Sequence, residues 1–164
     1  MTYPAAAIDK AFSILPAKMD TRHARITLAA IGYQESKYQS RRQIIKKDGK
    51  LVPEGPAASY WQFENGRFAG INGVLTHAST EMAAKEVCRL CGVLPERMSV
   101  WERMQFDDVL GAAFARLLMW TDSGRIPTSE SEGWAMYLRT WRPGKPHPEE
   151  WPASWRYALS VVKK

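Results

Sequence analysis

The carboxylate of Glu35 is the first candidate for chemistry in this sequence because of the pattern in which it falls. Ala24, Leu28 and Ile31 recur at spacings of four and three residues, which predicts the apolar face of an amphipathic helix. The next position on that face is Glu35, close to the end of the helix. Desolvation by apolar neighbours and the negative pole of the helix dipole would both raise the pKa of a carboxyl group in that place.

A carboxylic acid that stays protonated near neutral pH is what general-acid cleavage of a glycosidic bond requires. This interpretation needs the helix to extend as far as Glu35. If the helix ends one or two residues earlier, the Glu35 side chain points into water instead. Periodicity alone is compatible with both arrangements, since it defines a helix end only loosely.

A second group of candidates lies in the segment 55–66, which is rich in small, aromatic and polar residues. Tyr60 and Trp61 can stack on sugar rings, although their alternation with Gln62 on a predicted strand would bury one of the two aromatics. Gln62 and Glu64 offer polar groups for hydrogen bonds. Glu64 is the best candidate for a second carboxylate in the same cleft, and both a catalytic and a plain hydrogen-bonding role are open to it.

Two other carboxylates compete with Glu64 for that place. The segment 43–52 predicts a β-hairpin, because its Asp48-Gly49 pair supplies the positive φ angles of a tight turn. Asp48 is therefore most simply the turn residue. Glu54 precedes a Gly-Pro pair and is interpreted as a solvated loop residue. Helical periodicity is absent from about Ser36 to Ser79, and a stretch of that length is commonly functional.

The rest of the chain predicts the helices that must position these residues. The apolar stripes and their boundaries indicate three helices in the first part of the chain, over 8–15 (stopped by Pro16), over 21–35 (with Asp20 as its N-cap) and over 81–90. A central core helix follows, whose stripe runs from Phe106 to Leu118. The next helix begins at a Ser129–Glu132 capping box and carries Trp134, Tyr137 and Trp141, and a last helix is predicted around 155–162. We therefore expect a mainly α protein, a single domain over residues 1–164 with a small β-hairpin insert flanking the cleft.

Composition limits the classes of partner. The chain has 164 residues and a formal charge of +6, which favours an anionic partner such as nucleic acid, phospholipid or a bacterial envelope polymer. No basic helix or nucleic-acid motif is present, so nucleic acid is not expected. The sequence contains neither a signal peptide nor an apolar run long enough to cross a membrane. We expect synthesis in the cytoplasm and no membrane insertion.

The two cysteines do not predict a metal centre. Cys88 and Cys91 form a lone CxxC within a predicted helix, with no second ligand pair. Reduced helix cysteines are the simpler interpretation, in keeping with a cytosolic origin. We expect no metal and no cofactor.

Three short motifs, in order along the chain, resemble the lysozyme-like superfamily, and in particular its soluble lytic transglycosylases and the phage lysins that share their fold. Glu35-Ser36 matches the family's catalytic Glu-Ser pair. The segment 56–62 resembles its Gly-Ala-x-Gly-Leu-Met-Gln signature, with Gln62 on the Gln and with Pro56 and Ser59 in place of glycines. The segment 134–137 resembles its Ala-Tyr-Asn motif through Tyr137, although Leu138 stands where that motif has Asn.

The resemblance implies an α+β lysozyme-like fold and a substrate, the glycan strands of peptidoglycan, that is cut at the MurNAc-GlcNAc bond. It implies that Glu35 is the catalytic acid, with Glu64 the candidate second catalytic carboxylate. It also implies substrate contacts in the cleft, for which the candidates are Ser36, Tyr60, Trp61, Gln62 and Tyr137, the last also orienting the acid.

Two outcomes follow from such a site. In a lytic transglycosylase, which we favour, the muramoyl 6-hydroxyl closes an anhydro ring and the acid then acts as base. In a lysozyme, a second carboxylate assists hydrolysis by water. A third possibility is a virion-associated tail protein that binds glycan without turnover. We expect a monomeric phage or prophage lysin that acts on the cell wall in the periplasm. The enzyme would reach the periplasm through a holin pore or be delivered within a virion.

Overall fold

The computed structural model describes residues 2–67 and 70–163. Within those ranges the chain is mainly helical, with two small antiparallel two-stranded sheets, which confirms the predicted class. The helices are α1 (Ala5–Ile14), α2 (Arg22–Ser36), α3 (Gly70–Thr76), α4 (Glu81–Leu90), α5 (Arg97–Met104), α6 (Asp108–Trp120), α7 (Glu130–Trp141) and α8 (Trp151–Val161), and the strands are β1 (Ile45–Lys47), β2 (Lys50–Val52), β3 (Ala57–Ala58) and β4 (Phe63–Glu64).

Helix α2 begins one residue later than predicted and extends through Glu35. Its N-cap is Thr21, whose Oγ1 accepts a hydrogen bond from the Ala24 backbone N–H at 3.1 Å. The prediction of Asp20 as N-cap is wrong, because the Asp20 carboxylate accepts two hydrogen bonds from the Arg25 guanidinium, at 2.7 and 2.9 Å. Since α2 ends at Ser36, Glu35 lies in its last turn.

The chain reverses directly after α2 and packs back against it. Lys37 and Tyr38 both have left-handed backbone conformations, with φ angles of 51° and 55°. The Tyr38 hydroxyl donates a buried hydrogen bond to the Ala29 carbonyl of α2 at 2.9 Å. A Cβ atom on Gly32 would lie 2.5 Å from that hydroxyl oxygen, so glycine is required here. This reversal fixes the end of the helix that carries Glu35.

The predicted hairpin is present as strands β1 and β2. Ile45 pairs with Val52 and Lys47 with Lys50, and the turn residues Asp48 and Gly49 have φ angles of 51° and 77°. The chain on either side is tied to β3, because the Gln43 N–H donates to the Ala57 carbonyl at 2.9 Å and the Ser59 N–H donates to the Arg41 carbonyl at 2.8 Å. The base of the hairpin is therefore joined by hydrogen bonds to β3, which pairs with the strand β4 that carries Glu64.

Tyr60 and Trp61 lie in the turn between β3 and β4, not on a strand as the alternation predicted. Both sheet strands here have two residues, too few for alternation to decide burial. Instead Ser59 and Gln62 have positive φ angles of 66° and 51° and fold the turn inward. Trp61 is fully buried, and its indole N–H donates to the Leu28 carbonyl of α2 at 2.9 Å.

Helix α6 forms the centre of the core, as its apolar stripe predicted. Residues 110–119 of this helix are all buried, and the Asp107 carboxylate caps it by accepting from the Leu110 N–H at 3.0 Å. Phe106, which was predicted to start the stripe, precedes the N-cap and is 83% exposed. Helix α1 packs against α6, and α8 packs against α2.

Helix α7 begins at the predicted capping box. The Ser129 hydroxyl accepts from the Glu132 N–H at 3.4 Å, and the Glu132 carboxylate accepts from the Thr128 N–H at 2.8 Å. A Cβ atom on Gly133 would lie 2.5 Å from the Trp155 ring, so α7 and α8 approach closely there. This contact sets the position of the helix that carries Tyr137.

Two helices were not predicted. Helix α3 contains two glycines and is weak by propensity, but Ile71 and Val74 bury it against the core. Helix α5 is short and buries Val100, Trp101 and Met104. In both cases tertiary packing stabilises a segment whose sequence pattern is weak. None of the helices in the part of the chain that the structure describes combines the length and apolar character that a bilayer span needs.

Candidate active site

A cleft of about 1040 Å³ opens between the end of α2, strand β4, and the end of α7 with the segment that follows it. Polar and charged side chains make up much of its wall. Its lining includes Glu35, Gln43, Gln62, Phe63, Glu64, His77, Leu118, Thr121, Asp122, Arg139, Trp141, Arg142 and Lys145. Three candidates from the sequence, Glu35, Gln62 and Glu64, therefore line the same cleft. Gln62 and Glu64 follow Glu35 by 27 and 29 positions in the chain.

Glu35 has the environment of a general acid. Its side chain is partly buried, and the Tyr137 hydroxyl donates a hydrogen bond to Glu35 Oε1 at 2.6 Å. The pKa of Glu35 is raised to about 7, chiefly because burial disfavours the charged form; the Tyr137 hydrogen bond and Lys37 lower it in part, and the negative charge of Glu64 contributes to the rise. The Glu35 carboxyl group therefore keeps its proton to a much higher pH than an ordinary glutamate.

Tyr137 is held rigidly behind the acid. It is buried on α7 and stacks on Trp151, with ring centroids 5.6 Å apart and an angle of 14° between the planes. Burial, together with the neighbouring Glu35 carboxylate, raises the pKa of Tyr137 well above its ordinary value. The phenol therefore keeps its proton and remains a donor. The resemblance paired these same two residues, which lie 102 positions apart in the chain.

Gln62 and Trp141 form the wall beside Glu35. The Gln62 side-chain N–H donates to the Ser59 carbonyl at 2.8 Å, which fixes its amide at the cleft. The Trp141 indole N–H donates to the Trp61 carbonyl at 2.8 Å, and its partly exposed ring lies 6.0 Å from the Phe63 ring. Among the described residues that line the cleft, Trp141 is therefore the aromatic side chain available for a sugar ring.

Of the five predicted substrate contacts, only Gln62 lines the cleft: Tyr137 is buried and contacts Glu35 instead, and the other three lie elsewhere. The Ser36 hydroxyl donates to the Gly32 carbonyl at 3.1 Å and accepts from the Tyr38 N–H at 3.1 Å, so it caps α2. Tyr60 and Trp61 are 8% and 0% exposed and do not line the cleft. The structure therefore corrects the prediction that these two rings stack on sugars. Removing large apolar rings from water stabilises the fold, so they are buried in the core.

Of the competing carboxylates, Glu64 lies in the cleft and two others do not. Glu64 is exposed on β4. Glu54 pairs with Lys47 at 2.6 Å, and Asp48 occupies the hairpin turn. Asp122 was not a sequence candidate, but it also lines the cleft. Two hydrogen bonds from Arg139, both 2.9 Å, hold it and lower its pKa.

No family model, curated protein or solved structure matches this chain. A carboxylic acid of raised pKa, an orienting phenol, a second carboxylate and a partly exposed indole are together suited to protonating a glycosidic oxygen and stabilising the cation that forms.

The described residues offer little for a metal or a cofactor. One cluster, His147 with Glu149 and Glu150, brings its ligand atoms within 4.8 Å of each other, but it is exposed and is not part of the cleft lining. Glu150 also pairs with Lys37 at 2.7 Å. The two cysteines are free thiols, and burial raises the pKa of Cys88 to about 11, so it is a poor metal ligand at neutral pH.

Several cleft residues carried no functional signal in the sequence. Trp141 lies four positions after Tyr137, so the helical spacing that predicted one could have pointed to the other. No comparable spacing in the sequence pointed to Gln43 or Arg139 as cleft residues. Within the described residues the Gln43 Oε1 atom is buried without a hydrogen-bond partner. Only the long-range packing of the hairpin base brings Gln43 to the cleft.

Proposed function

We propose that this protein is a peptidoglycan-degrading enzyme of the lysozyme-like superfamily, a phage or prophage lysin that cleaves the MurNAc-GlcNAc bond by lytic transglycosylation. The observation that carries the proposal is the 2.6 Å hydrogen bond from Tyr137 to Glu35, whose pKa burial raises to about 7. Both residues were candidates from short motifs that resemble that superfamily. Their contact makes a coincidental match of the two motifs less plausible.

The proposed reaction uses Glu35 twice. The protonated carboxyl first donates its proton to the leaving glycosidic oxygen, while an oxocarbenium-like cation develops at the muramoyl anomeric carbon. The muramoyl 6-hydroxyl then attacks that carbon and closes an anhydro ring. The Glu35 carboxylate accepts the proton that the hydroxyl loses, which returns the acid to its starting state. Tyr137 orients the carboxyl group throughout.

The cleft suits a long, polar and anionic polymer. Its volume is at the upper end of the range for ligand sites, and it is open rather than enclosed. Trp141 offers a ring face, and Gln43 and Gln62 offer amides for the hydroxyl and acetamido groups of amino sugars. Arg142 and Lys145 add positive charge to the lining. Like the formal charge of +6 on the whole chain, this favours an anionic substrate.

A lysozyme that hydrolyses the same bond is the second candidate. Glu64 lines the cleft, and its negative charge raises the pKa of Glu35, so the two carboxylates are close enough to interact. In this alternative Glu64 would stabilise the cation or activate a water molecule. Both candidates share Glu35 as the acid and differ only in what attacks the anomeric carbon.

Mass spectrometry of digested peptidoglycan, before any chemical reduction, tests the proposal. Ring closure leaves anhydro-muramoyl ends, whereas hydrolysis adds water and leaves reducing ends heavier by ~18 Da, since the two routes differ only in the attacking group. We expect anhydro ends. Predominantly reducing ends would establish the lysozyme alternative. If the folded protein binds peptidoglycan but cuts no bond, the protein is a glycan-binding component and the proposed activity is wrong.

A further inference from the structure

The end of the cleft that follows α7 is positively charged. Helix α7 ends at Trp141, and the next residues, Arg142 to Lys145, line the cleft. Among the described residues no carboxylate lies within ion-pair distance of Arg142 or Lys145. Arg139, by contrast, is neutralised by its two hydrogen bonds to Asp122. Arg142 and Lys145 therefore present uncompensated charge to whatever enters the cleft.

This basic segment is held in place at both ends. Arg142 has a left-handed backbone conformation, with φ at 49°, and its Nε donates to the Arg139 carbonyl at 3.3 Å. Beyond Lys145, the Gln34 amide of α2 donates to the His147 carbonyl at 3.2 Å. Gln34 directly precedes Glu35, so the segment is anchored beside the proposed acid.

The spacing along α7 sets the distance between the acid and these cations. Tyr137 contacts Glu35, and Arg142 follows Tyr137 by five residues. At ~1.5 Å of rise per residue, Trp141, the last residue of α7, lies about 6 Å further along the helix axis than Tyr137, and Arg142 follows it. Arg142 and Lys145 line the same cleft as Glu35, so a substituent on a sugar bound at Glu35 would meet their positive charge.

We infer that Arg142 and Lys145 form a subsite for the free carboxylates of the peptide stem on the muramoyl residue, so that the enzyme selects peptidoglycan whose stems are uncapped. This inference rests on the proposed function. Guanidinium and ammonium groups pair with carboxylates through charge-assisted hydrogen bonds. Because both side chains are reachable by water, the gain is modest and is screened by salt.

The test compares two forms of one substrate. Sacculi that carry no teichoic acid are used, so that phosphate is not a source of negative charge. One portion is left native, and in the other the stem carboxylates are coupled to methylamine through a carbodiimide. We expect kcat/KM on native sacculi to exceed that on capped sacculi by about tenfold at low salt, and by less as salt is raised.

Two double variants complete the test. Arg142→Ala with Lys145→Ala is expected to cut native sacculi at the rate that the unchanged protein shows on capped sacculi, with no further loss on capping. Lys46→Ala with Lys50→Ala removes the same charge from exposed hairpin positions outside the cleft lining and is expected to keep the full preference.

Equal rates of the unchanged protein on native and capped sacculi would overturn the inference and leave the proposed function intact. So would an equal loss of preference in both double variants, because general charge attraction would then explain it. Failure of the unchanged protein to cut either substrate would instead overturn the proposed function itself.

Discussion

The cleft has two walls that present the same residue type in opposite environments. On the helical wall, Glu35 is partly buried in the last turn of α2 and accepts a hydrogen bond from Tyr137. On the β wall, Glu64 is exposed on a strand of two residues. Among the described residues the Glu35 carboxylate has a side-chain donor and the Glu64 carboxylate has none.

The difference shows that the surrounding packing, and not the type of side chain, sets the burial and hydrogen bonding of each carboxylate. Burial raises the pKa of Glu35 to about 7. Tyr137, stacked on Trp151, holds that carboxyl group in one orientation. Glu64 can influence Glu35 through its charge without taking part in proton transfer. Such a pair of unlike environments is how carboxylates acquire distinct acid and base roles.

The largest expected effect comes from removing the acid on the helical wall. Glu35→Gln keeps the size and polarity of the side chain but cannot give up a proton, so the rate of lysis of purified cell walls is expected to fall roughly 10²–10⁴-fold or more. Dye release from labelled sacculi measures the rate, and circular dichroism verifies that the variant is folded. Substantial activity in the folded variant would remove Glu35 from the mechanism.

The same substitution is expected to change the dependence of stability on pH. Because burial raises the pKa of Glu35 from 4.5 to about 7, the folded state binds more protons than the unfolded state between these values, and stability falls as pH rises through that window. Glu35→Gln lacks this loss. Its free energy of unfolding relative to the unchanged protein is expected to rise by up to about 3 kcal/mol between pH 4 and pH 8.

Chemical denaturation at pH 4 and pH 8 measures that difference. A gain for Glu35→Gln that is the same at both pH values would show that folding does not raise the pKa of Glu35.

Removing the donor behind the acid tests the rigidity of the helical wall. The Tyr137 hydrogen bond lowers the pKa of Glu35, so Tyr137→Phe is expected to move the alkaline limb of the kcat/KM profile to higher pH, by about one unit. The rate at the optimum is expected to fall about tenfold, since the acid loses its orientation.

Tyr33→Phe is the matched control, because Tyr33 stacks on Tyr157 and its hydroxyl makes no side-chain hydrogen bond among the described residues. An unshifted limb in Tyr137→Phe would contradict the assigned contact.

The smallest expected effect is on the β wall. Glu64→Gln removes a charge that raises the pKa of Glu35, so the alkaline limb is expected to move to lower pH, opposite in direction to Tyr137→Phe. The rate is expected to fall by less than about tenfold, through weaker substrate positioning. Glu54→Gln, which removes a carboxylate paired with Lys47 outside the cleft lining, is the control. Loss of activity as large as that of Glu35→Gln would erase the contrast between the walls and favour a two-carboxylate lysozyme.

Local patterns in the sequence were sufficient for much of the framework. The spacing of Ala24, Leu28 and Ile31 placed Glu35 on the inner face of a helix, and the Asp48-Gly49 pair predicted the hairpin turn. Both signals are local because helical periodicity and turn chemistry depend on residues close together in the chain. Where local signals were weak, as in the glycine-containing helix α3, the prediction missed the element.

Tertiary structure decided which of the candidate side chains line the cleft and which are buried away from it. The Tyr137 hydroxyl meets Glu35 across 102 residues, and the packing of α7 on α8 places it there. Core packing buried Trp61 and left Trp141 at the surface of the cleft, although the sequence gives both the same apolar character. The pKa of Glu35 likewise depends on neighbours from α7 and β4. A local pattern predicts which face of a helix turns inward, but the contacts between distant segments that complete the burial are properties of the packed chain.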